Sequence, residues 1–153
     1  AALATWNALP EMRVRFVRAE PGNAAEIAVR FCKGGWLHKA GLLGHTEFEA
    51  EGETGIVNAA VVEVNECDYR YVGPSEVEEG TFDLQAVITH ELGHALGLGH
   101  SDDPKAVMFT STGSVRQRRP ALDDRTGLSD IYGIPIGGLP KSAKPATPPV
   151  VAA

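Results

Sequence analysis

The pattern of apolar and polar residues predicts a short helix followed by several strands in the first half of the chain. Residues 3–9 read as the end of a helix that Pro10 closes. Strands are predicted where apolar residues alternate with charged ones or form short apolar runs, at 12–19, 25–31, 42–48 and 56–65. The valines of the last run, IVNAAVVEVN, are typical of a strand.

The second half of the chain is predicted to be helical and irregular. Residues 66–80 form a polar loop rich in Glu, Gly and Pro. Thr81 is the predicted N-cap of a helix whose apolar residues recur at helical spacing, which places one face toward the core: Leu84, Val87, Ile88 and Leu92. We expect an irregular segment at 101–120 and a short final helix at 121–133.

Composition indicates one soluble domain. The 153 residues are 43% apolar, which suits a globular protein. The formal net charge of −6 does not favour binding to nucleic acid or to an anionic membrane surface. No apolar run approaches the ~20 residues that span a bilayer, so no membrane segment is predicted. Residues 1–136 read as the domain, and the Pro- and Ala-rich residues 137–153 as a flexible tail.

The strongest functional signal is the stretch HELGHALGLGH, residues 90–100. On a helix, His90 and His94 lie one turn apart on one face, where both imidazoles can bind the same metal ion. Glu91 points to the side of that ion, where it can deprotonate a metal-activated water. Gly97 and Gly99 allow the chain to turn so that His100 supplies a third nitrogen.

These residue types favour a catalytic zinc ion. Three neutral imidazoles leave a fourth position open for water, whereas a structural zinc site normally fills all four positions with protein ligands. Nitrogen ligands without thiolates also favour zinc over softer metals. The alternative, in which three histidines merely cap a core helix, does not account for the glycine and the third histidine that extend HExxH at regular spacing.

The extended motif resembles the metzincin pattern HExxHxxGxxH, and the serine that follows it, Ser101, is what matrixins (the matrix metalloproteinase family) show there. SDDPKAVMFT resembles the run that ends in the matrixin Met-turn, and LDDRTGLSDIYG resembles the last matrixin helix. The resemblance implies that Met108 lies beneath the zinc and that Asp123 and Asp124 brace the turn. It also implies an α+β fold of the zincin/metzincin type, a twisted mixed β-sheet with an active-site helix and a C-terminal helix.

The resemblance extends upstream and covers roughly residues 6–133. AEIAVRF is similar to the third strand of the family, LLGHTEF to its substrate-binding edge strand, and IVNAAVVEVN to its fifth strand. Trp6 followed by MRVRFVRA resembles the end of the first helix and the second strand. We therefore expect that the first strand and most of the first helix of the family precede residue 1.

The chain departs from the family at its additional metal sites, since matrixins also carry a structural zinc and calcium ions. Of the expected structural-zinc histidines, only His45 stands in a matching place, and Ala60 occupies the place of another. The segment KGGWLHKAG has no counterpart of the His-Gly-Asp stretch of the family. We therefore expect one zinc ion, with His38 and His45 as ordinary polar residues. Thr110 replaces the proline that usually follows the Met-turn.

Cys32 and Cys67 match neither a four-thiol zinc site nor a redox pair, so they are either two buried thiols or one disulfide. The resemblance places them at the ends of the third and fifth strands, which are parallel neighbours. Adjacent strands lie about 4.8 Å apart, a separation that suits a disulfide. A disulfide in turn favours a secreted, extracellular or periplasmic location.

The sequence therefore predicts a zinc-dependent endopeptidase that hydrolyses peptide bonds of extended protein substrates. The protein or peptide substrate would lie along the edge strand LLGHTEF, and the enzyme would be a monomer. Two alternatives stay open, a catalytically silent protein-binding module of the same fold and a zinc hydrolase of a non-peptide amide. The arginines after Met108 would either favour an acidic substrate side chain or face solvent: Arg116, Arg118 and Arg119.

Overall fold

A mixed sheet forms the frame of the molecule. The computed structural model describes residues 1–12, 15–20, 25–50, 57–111, 115–133 and 150–152. The strands of the main sheet are β1 (Val17–Arg18), β2 (Ile27–Phe31), β3 (Gly44–Ala50), β4 (Val57–Val64) and β7 (Val150–Ala152), in the order β1-β7-β2-β4-β3. All neighbours are parallel except β3 and β4, which are antiparallel and place β3 at the edge.

The predicted strands at 25–31, 42–48 and 56–65 are present with slightly different bounds. Apolar side chains of β4 alternate toward the interior, so Val62 and Val64 are fully buried. The strand predicted over 12–19 is reduced to the two residues of β1, and residues 13 and 14 lie outside the described part of the chain.

Two short strands lie where the sequence predicted a loop and a helix cap. β5 (Arg70–Val72) pairs in parallel with β6 (Thr81–Asp83) and forms a second, two-stranded sheet. The prediction that Thr81 caps the following helix is wrong, because Thr81 lies in β6. Asp83 is the N-cap, and its carboxylate accepts a hydrogen bond from the Ala86 amide at 3.0 Å. A carboxylate at this position also interacts favourably with the helix dipole.

The described residues also form three α-helices and one short 3₁₀ helix: α1 (Ala2–Asn7), α2 (Leu84–Ala95), Val115–Arg118 and α3 (Leu122–Tyr132). α2 packs against α1, β3 and β4. Trp6 of α1 is fully buried, and its indole N–H donates to the Thr89 carbonyl of α2 at 2.9 Å. The core between sheet and helices includes Leu92, Met108 and Leu128. The described residues contain no helix long and apolar enough to cross a membrane.

The predicted tail contributes a strand to the sheet. Residues 137–149 lie outside the described part of the chain, but Val150–Ala152 pair in parallel with β1 on one side and β2 on the other. The sequence did not predict a strand at Val150–Ala152, because a short run with two β-branched valines carries little pattern on its own.

Cys32 and Cys67 form a disulfide, with Cα atoms 5.8 Å apart. Cys32 directly follows β2, and its amide donates to the Val64 carbonyl at the end of β4 at 2.9 Å. β2 and β4 are parallel neighbours, so the two strands end side by side, and the bridge joins the start of the loop after β4 to the end of β2.

Removal of this bridge should destabilise the protein. Replacing both cysteines with alanine is expected to lower the free energy of unfolding by about 2–4 kcal/mol, because the bridge restricts the unfolded chain. Chemical denaturation of the double variant beside the oxidised protein measures the difference. Thiol titration under denaturing, non-reducing conditions provides the control, and two reactive thiols in the freshly purified protein would contradict the bridge.

Candidate metal centre and active-site cleft

The helix α2 holds two imidazoles in one orientation and one tautomer. His90 Nδ1 lies 2.8 Å from the Val107 carbonyl, and His94 Nδ1 lies 2.8 Å from the Leu98 carbonyl. A carbonyl oxygen only accepts hydrogen bonds, so Nδ1 carries the hydrogen in both rings. Each Nε2 is therefore left with a free lone pair, the form in which histidine binds a metal.

The turn after α2 brings a third imidazole to the same place. Gly97 has a φ of +91°, its amide donates to His94, and the amide of Leu98 donates to Gly93 at 3.0 Å. This Schellman arrangement ends the helix and reverses the chain. The sequence attributed the turn to Gly97 and Gly99 together, but only Gly97 adopts a positive φ.

The three histidine rings converge on one point. Their centroids lie 4.9 Å apart for His90 and His94, 5.3 Å for His90 and His100, and 4.9 Å for His94 and His100. One ligand nitrogen from each ring lies within 4.8 Å of the others. Three nitrogens without a thiolate match the donor set of a zinc ion that keeps one position open.

Burial favours the neutral form of the two imidazoles on α2. The pKa of His90 is lowered to about 4, mainly by burial and also by the neighbouring His94 and His100, while the hydrogen bond to the Val107 carbonyl opposes the shift. Burial also lowers the pKa of His94. Neutral imidazole is the ligand form, so the fold presents both rings ready to bind at neutral pH.

Glu91 lies beside the three histidines and against the edge strand. The Thr46 hydroxyl donates to Glu91 Oε2 at 2.7 Å. A Cβ on Gly44 would lie 2.8 Å from Glu91 Oε1, so only glycine leaves room for the carboxylate there. Burial raises the pKa of Glu91 to about 7, and the bond from Thr46 opposes that shift. A cation bound by the histidines would lower this pKa again.

Met108 is buried against α2. Its side chain is 1% exposed and packs on Gly93 so closely that a Cβ there would lie 2.3 Å from the Met108 sulfur. Gly93 thus serves close packing, a role that the HExxH spacing does not reveal.

Asp124 and Asp123 hold the loop around Met108. The buried Asp124 carboxylate accepts hydrogen bonds from the amides of Val107 and Met108, both at 2.9 Å, and from Ala121 at 2.7 Å. Asp123 accepts from the Ser101 hydroxyl at 2.5 Å, directly after His100. The pair therefore connects α3 to both segments that flank the metal centre.

An open cleft of about 560 Å³ runs between β3 and α2. Its walls come from the edge strand and the residues before it, from the three histidines and Glu91, from one aromatic residue before β5 and one in β6, and from the segment after Met108. The lining residues are Gly41–Thr46, Phe48, Tyr69, Phe82, His90, Glu91, His94, His100, Thr110 and Ser111. The Tyr71 hydroxyl donates to the Leu43 carbonyl at 2.5 Å and fixes the entry to the strand. Sequence patterns did not identify Thr46, Tyr69 or Tyr71 as site residues.

Two side chains anchor the wall after Met108. Arg118 donates to the buried Asp83 carboxylate through Nε at 2.6 Å and through Nη2 at 2.8 Å. Gln117 is buried and donates to the Ser111 carbonyl at 2.7 Å. Arg118 is therefore engaged with the N-cap of α2, whereas Arg119 is exposed. The Arg116 side chain lies outside the described part of the structure.

Comparison with known proteins yields one family. A family model described as Matrixin matches residues 1–133. The chain is 34% identical to Metalloendoproteinase 1 of Glycine max over 61% of its length, and 32% identical to Metalloendoproteinase 1-MMP of Arabidopsis thaliana over 86%. It is 47% identical to Matrix metalloproteinase-27 of Homo sapiens over 45%. The matches span 30%, 36% and 13% of those relatives, respectively.

Gly93→Ala should destabilise the protein. The added Cβ meets the Met108 sulfur and Trp6 in a filled core, so a net cost of about 1–3 kcal/mol is expected despite the better helix propensity of alanine. Thermal and chemical denaturation measure it. Gly99→Ala is the matched control, because nothing lies within 4 Å of its Cβ. Equal stability of the two variants would contradict the packing argument.

Asp124→Asn should loosen the Met108 loop. The amide side chain has one acceptor oxygen in place of two, so at least one buried N–H loses its partner, at a cost of about 1–3 kcal/mol. Chemical denaturation gives the change in the free energy of unfolding. Asp130→Asn changes the same charge at an exposed position of α3 and should have little effect. A similar loss of stability in both variants would attribute the effect to the removed negative charge and not to the lost hydrogen bond.

Proposed function

This chain belongs to the matrixin family, and we propose that it is a zinc-dependent endopeptidase that hydrolyses peptide bonds of extended protein substrates. Homology to matrix metalloproteinases supports a metalloendopeptidase. The single observation that carries the finer proposal is the convergence of His90, His94 and His100 with Glu91 beside them. The chain spans about a third or less of the relatives described above, so its activity within a longer protein is part of the proposal.

The residues of the site take separate roles in this proposal. His90, His94 and His100 hold zinc through nitrogen, with Met108, Asp123 and Asp124 as structural support. Bound zinc supplies Lewis-acid chemistry, which polarises the scissile carbonyl and activates water. Glu91 accepts the proton from the attacking water and returns it to the leaving amine. Thr46 orients the Glu91 carboxylate for both transfers through its 2.7 Å hydrogen bond.

The edge strand is the proposed binding surface for a protein or peptide substrate. β3 pairs only with β4 among the described strands, and the cleft follows its free side from Gly41 to Phe48. A peptide can add a strand there through backbone hydrogen bonds, with little demand on its sequence. A cleft that follows a strand supports an extended peptide over a small non-peptide amide, which would suit an enclosed pocket.

Arg118, in the segment after Met108, gives little support for a preference for substrates with acidic side chains. Its guanidinium already makes two charge-assisted bonds to Asp83, so binding a substrate carboxylate would leave the buried Asp83 unpaired. Arg119 is exposed. Thr110 and Ser111 line the cleft itself, and we propose that they contribute polar contacts to the substrate.

We place the protein outside the reducing cytoplasm. The disulfide between Cys32 and Cys67 supports a secreted, extracellular or periplasmic location, where such bonds persist. We further propose that the domain acts as a monomer, because one chain supplies every proposed ligand and the base.

Glu91→Gln should abolish proteolysis without loss of metal. Cleavage of casein or gelatin is expected to fall by about 10²–10⁴-fold, the usual contribution of a general base, while zinc content stays unchanged. Glu79→Gln, an exposed change of the same charge, should keep full activity. His94→Ala should lose the zinc ion of this centre together with cleavage.

The outcomes of this experiment separate the candidate functions. Chelator-sensitive cleavage that disappears in Glu91→Gln supports the endopeptidase. No cleavage by folded, zinc-loaded protein would overturn it in favour of a binding module. Cleavage that survives in Glu91→Gln would contradict the assignment of the base.

A further inference from the structure

A buried amide side chain lies behind one wall of the cleft. Asn65 directly follows β4 and is fully buried, and no sequence pattern identified it. Its backbone N–H donates to the Leu43 carbonyl at 2.9 Å, and its side-chain Nδ2 donates to the Leu42 carbonyl at 3.0 Å. Both leucines line the cleft immediately before β3. One residue therefore binds two consecutive carbonyls of the wall.

These bonds hold residues that the strand ladder does not hold. The pairing of β3 with β4 begins at Gly44, so Leu42 and Leu43 lie beyond the end of the ladder. The Leu43 carbonyl also accepts a hydrogen bond from the Tyr71 hydroxyl at 2.5 Å. The conformation of this part of the wall therefore depends on Asn65 and on the hydroxyl of Tyr71.

Asn65 is itself fixed by the turn that follows it. Its Nδ2 also donates to Asp68 Oδ2 at 3.0 Å, and its Oδ1 accepts from the Asp68 amide at 3.1 Å. These partners fix the orientation of the side-chain amide, because the Leu42 carbonyl only accepts and a backbone N–H only donates. Cys67 lies in the same turn, and its disulfide to Cys32 joins the turn to the end of β2. The side chain is thus held in the orientation that reaches the wall.

We propose that Asn65 and Tyr71 are positioning residues for substrate binding, because they hold Leu42 and Leu43 in the conformation against which an extended peptide docks. This role rests on the proposed function, in which the cleft binds a peptide. A wall that is ordered before binding does not lose further conformational entropy when the substrate arrives. The two residues therefore strengthen substrate binding without contact with the substrate.

The reacting groups do not depend on these bonds. Gly44 contacts Glu91, since an added Cβ there would lie 2.8 Å from Glu91 Oε1, and Thr46 donates to the same carboxylate. Both Gly44 and Thr46 belong to β3 and stay paired with β4. Loss of the Asn65 bonds should therefore weaken substrate binding and leave the chemical step intact, which is the kinetic pattern of lost uniform binding.

Steady-state kinetics test this separation. The probe is a quenched fluorescent peptide with a casein sequence that the unchanged, zinc-loaded enzyme cleaves. Asn65→Ala should raise KM about tenfold with kcat unchanged, because the wall then has to be ordered during binding. Tyr71→Phe should raise KM by less. Asn58→Ala is the matched control, since Asn58 is an exposed residue of β4, and it should leave both constants unchanged.

Hydrogen exchange followed by mass spectrometry tests the wall without proteolysis. Amides of residues 41–43 should exchange faster in Asn65→Ala than in the unchanged protein, whereas those of α2 should keep their rates. Faster exchange throughout the chain would reduce Asn65 to a general structural role and overturn the proposal. Unchanged exchange at residues 41–43 would overturn it as well.

The kinetic outcomes are equally decisive. An unchanged KM in folded Asn65→Ala would overturn the proposal, as would a loss confined to kcat. If Asn65→Ala does not fold, Tyr71→Phe is judged by the same criteria. No cleavage by the unchanged, zinc-loaded protein would contradict the proposed function, and the exchange rates of residues 41–43 would still decide whether Asn65 orders the wall.

Discussion

Two hydrogen bonds from histidine rings to backbone carbonyls hold the metal centre together. His94 donates to Leu98, which lies in the turn after α2, and His90 donates to Val107, which precedes Met108. Each bond fixes the tautomer of the imidazole and also the position of the loop that carries the carbonyl. The same two loops carry His100 and the floor of the site, so the ligands and the backbone around them are positioned by one network.

Asp124 extends this network to the rest of the protein. Its carboxylate binds the amides of Val107 and Met108, and the Val107 carbonyl in turn accepts from His90. The position of α3 is thereby linked to the orientation of a ligand more than thirty residues earlier in the chain. Burial raises the pKa of this carboxyl, and its three backbone bonds oppose the shift and stabilise the charged form. The buried contact of Met108 with Gly93 packs the Met108 loop against α2.

Much of this site could be predicted because its elements are local in sequence. Helical spacing gives the relation of His90 to His94, and a glycine beyond the helix predicts a turn. The family resemblance added Met108, Asp123 and Asp124, which no local pattern identifies. The contacts of Thr46 with Glu91 and of Arg118 with Asp83 were not predicted, because they depend on how β3 and the segment after Met108 pack against α2. Thr81 was mistaken for the cap because Thr and Asp both suit that position, and only the pairing of β6 with β5 decides between them.

We propose that His90, His94 and His100 hold one zinc ion and leave one coordination position open. X-ray absorption spectroscopy on the chain loaded with one equivalent of zinc tests it directly. We expect three histidine nitrogens and one further light atom at about 2.0–2.1 Å, with no sulfur. A spectrum with fewer imidazoles, with sulfur ligands or with no specifically bound zinc would contradict this assignment of the zinc ligands.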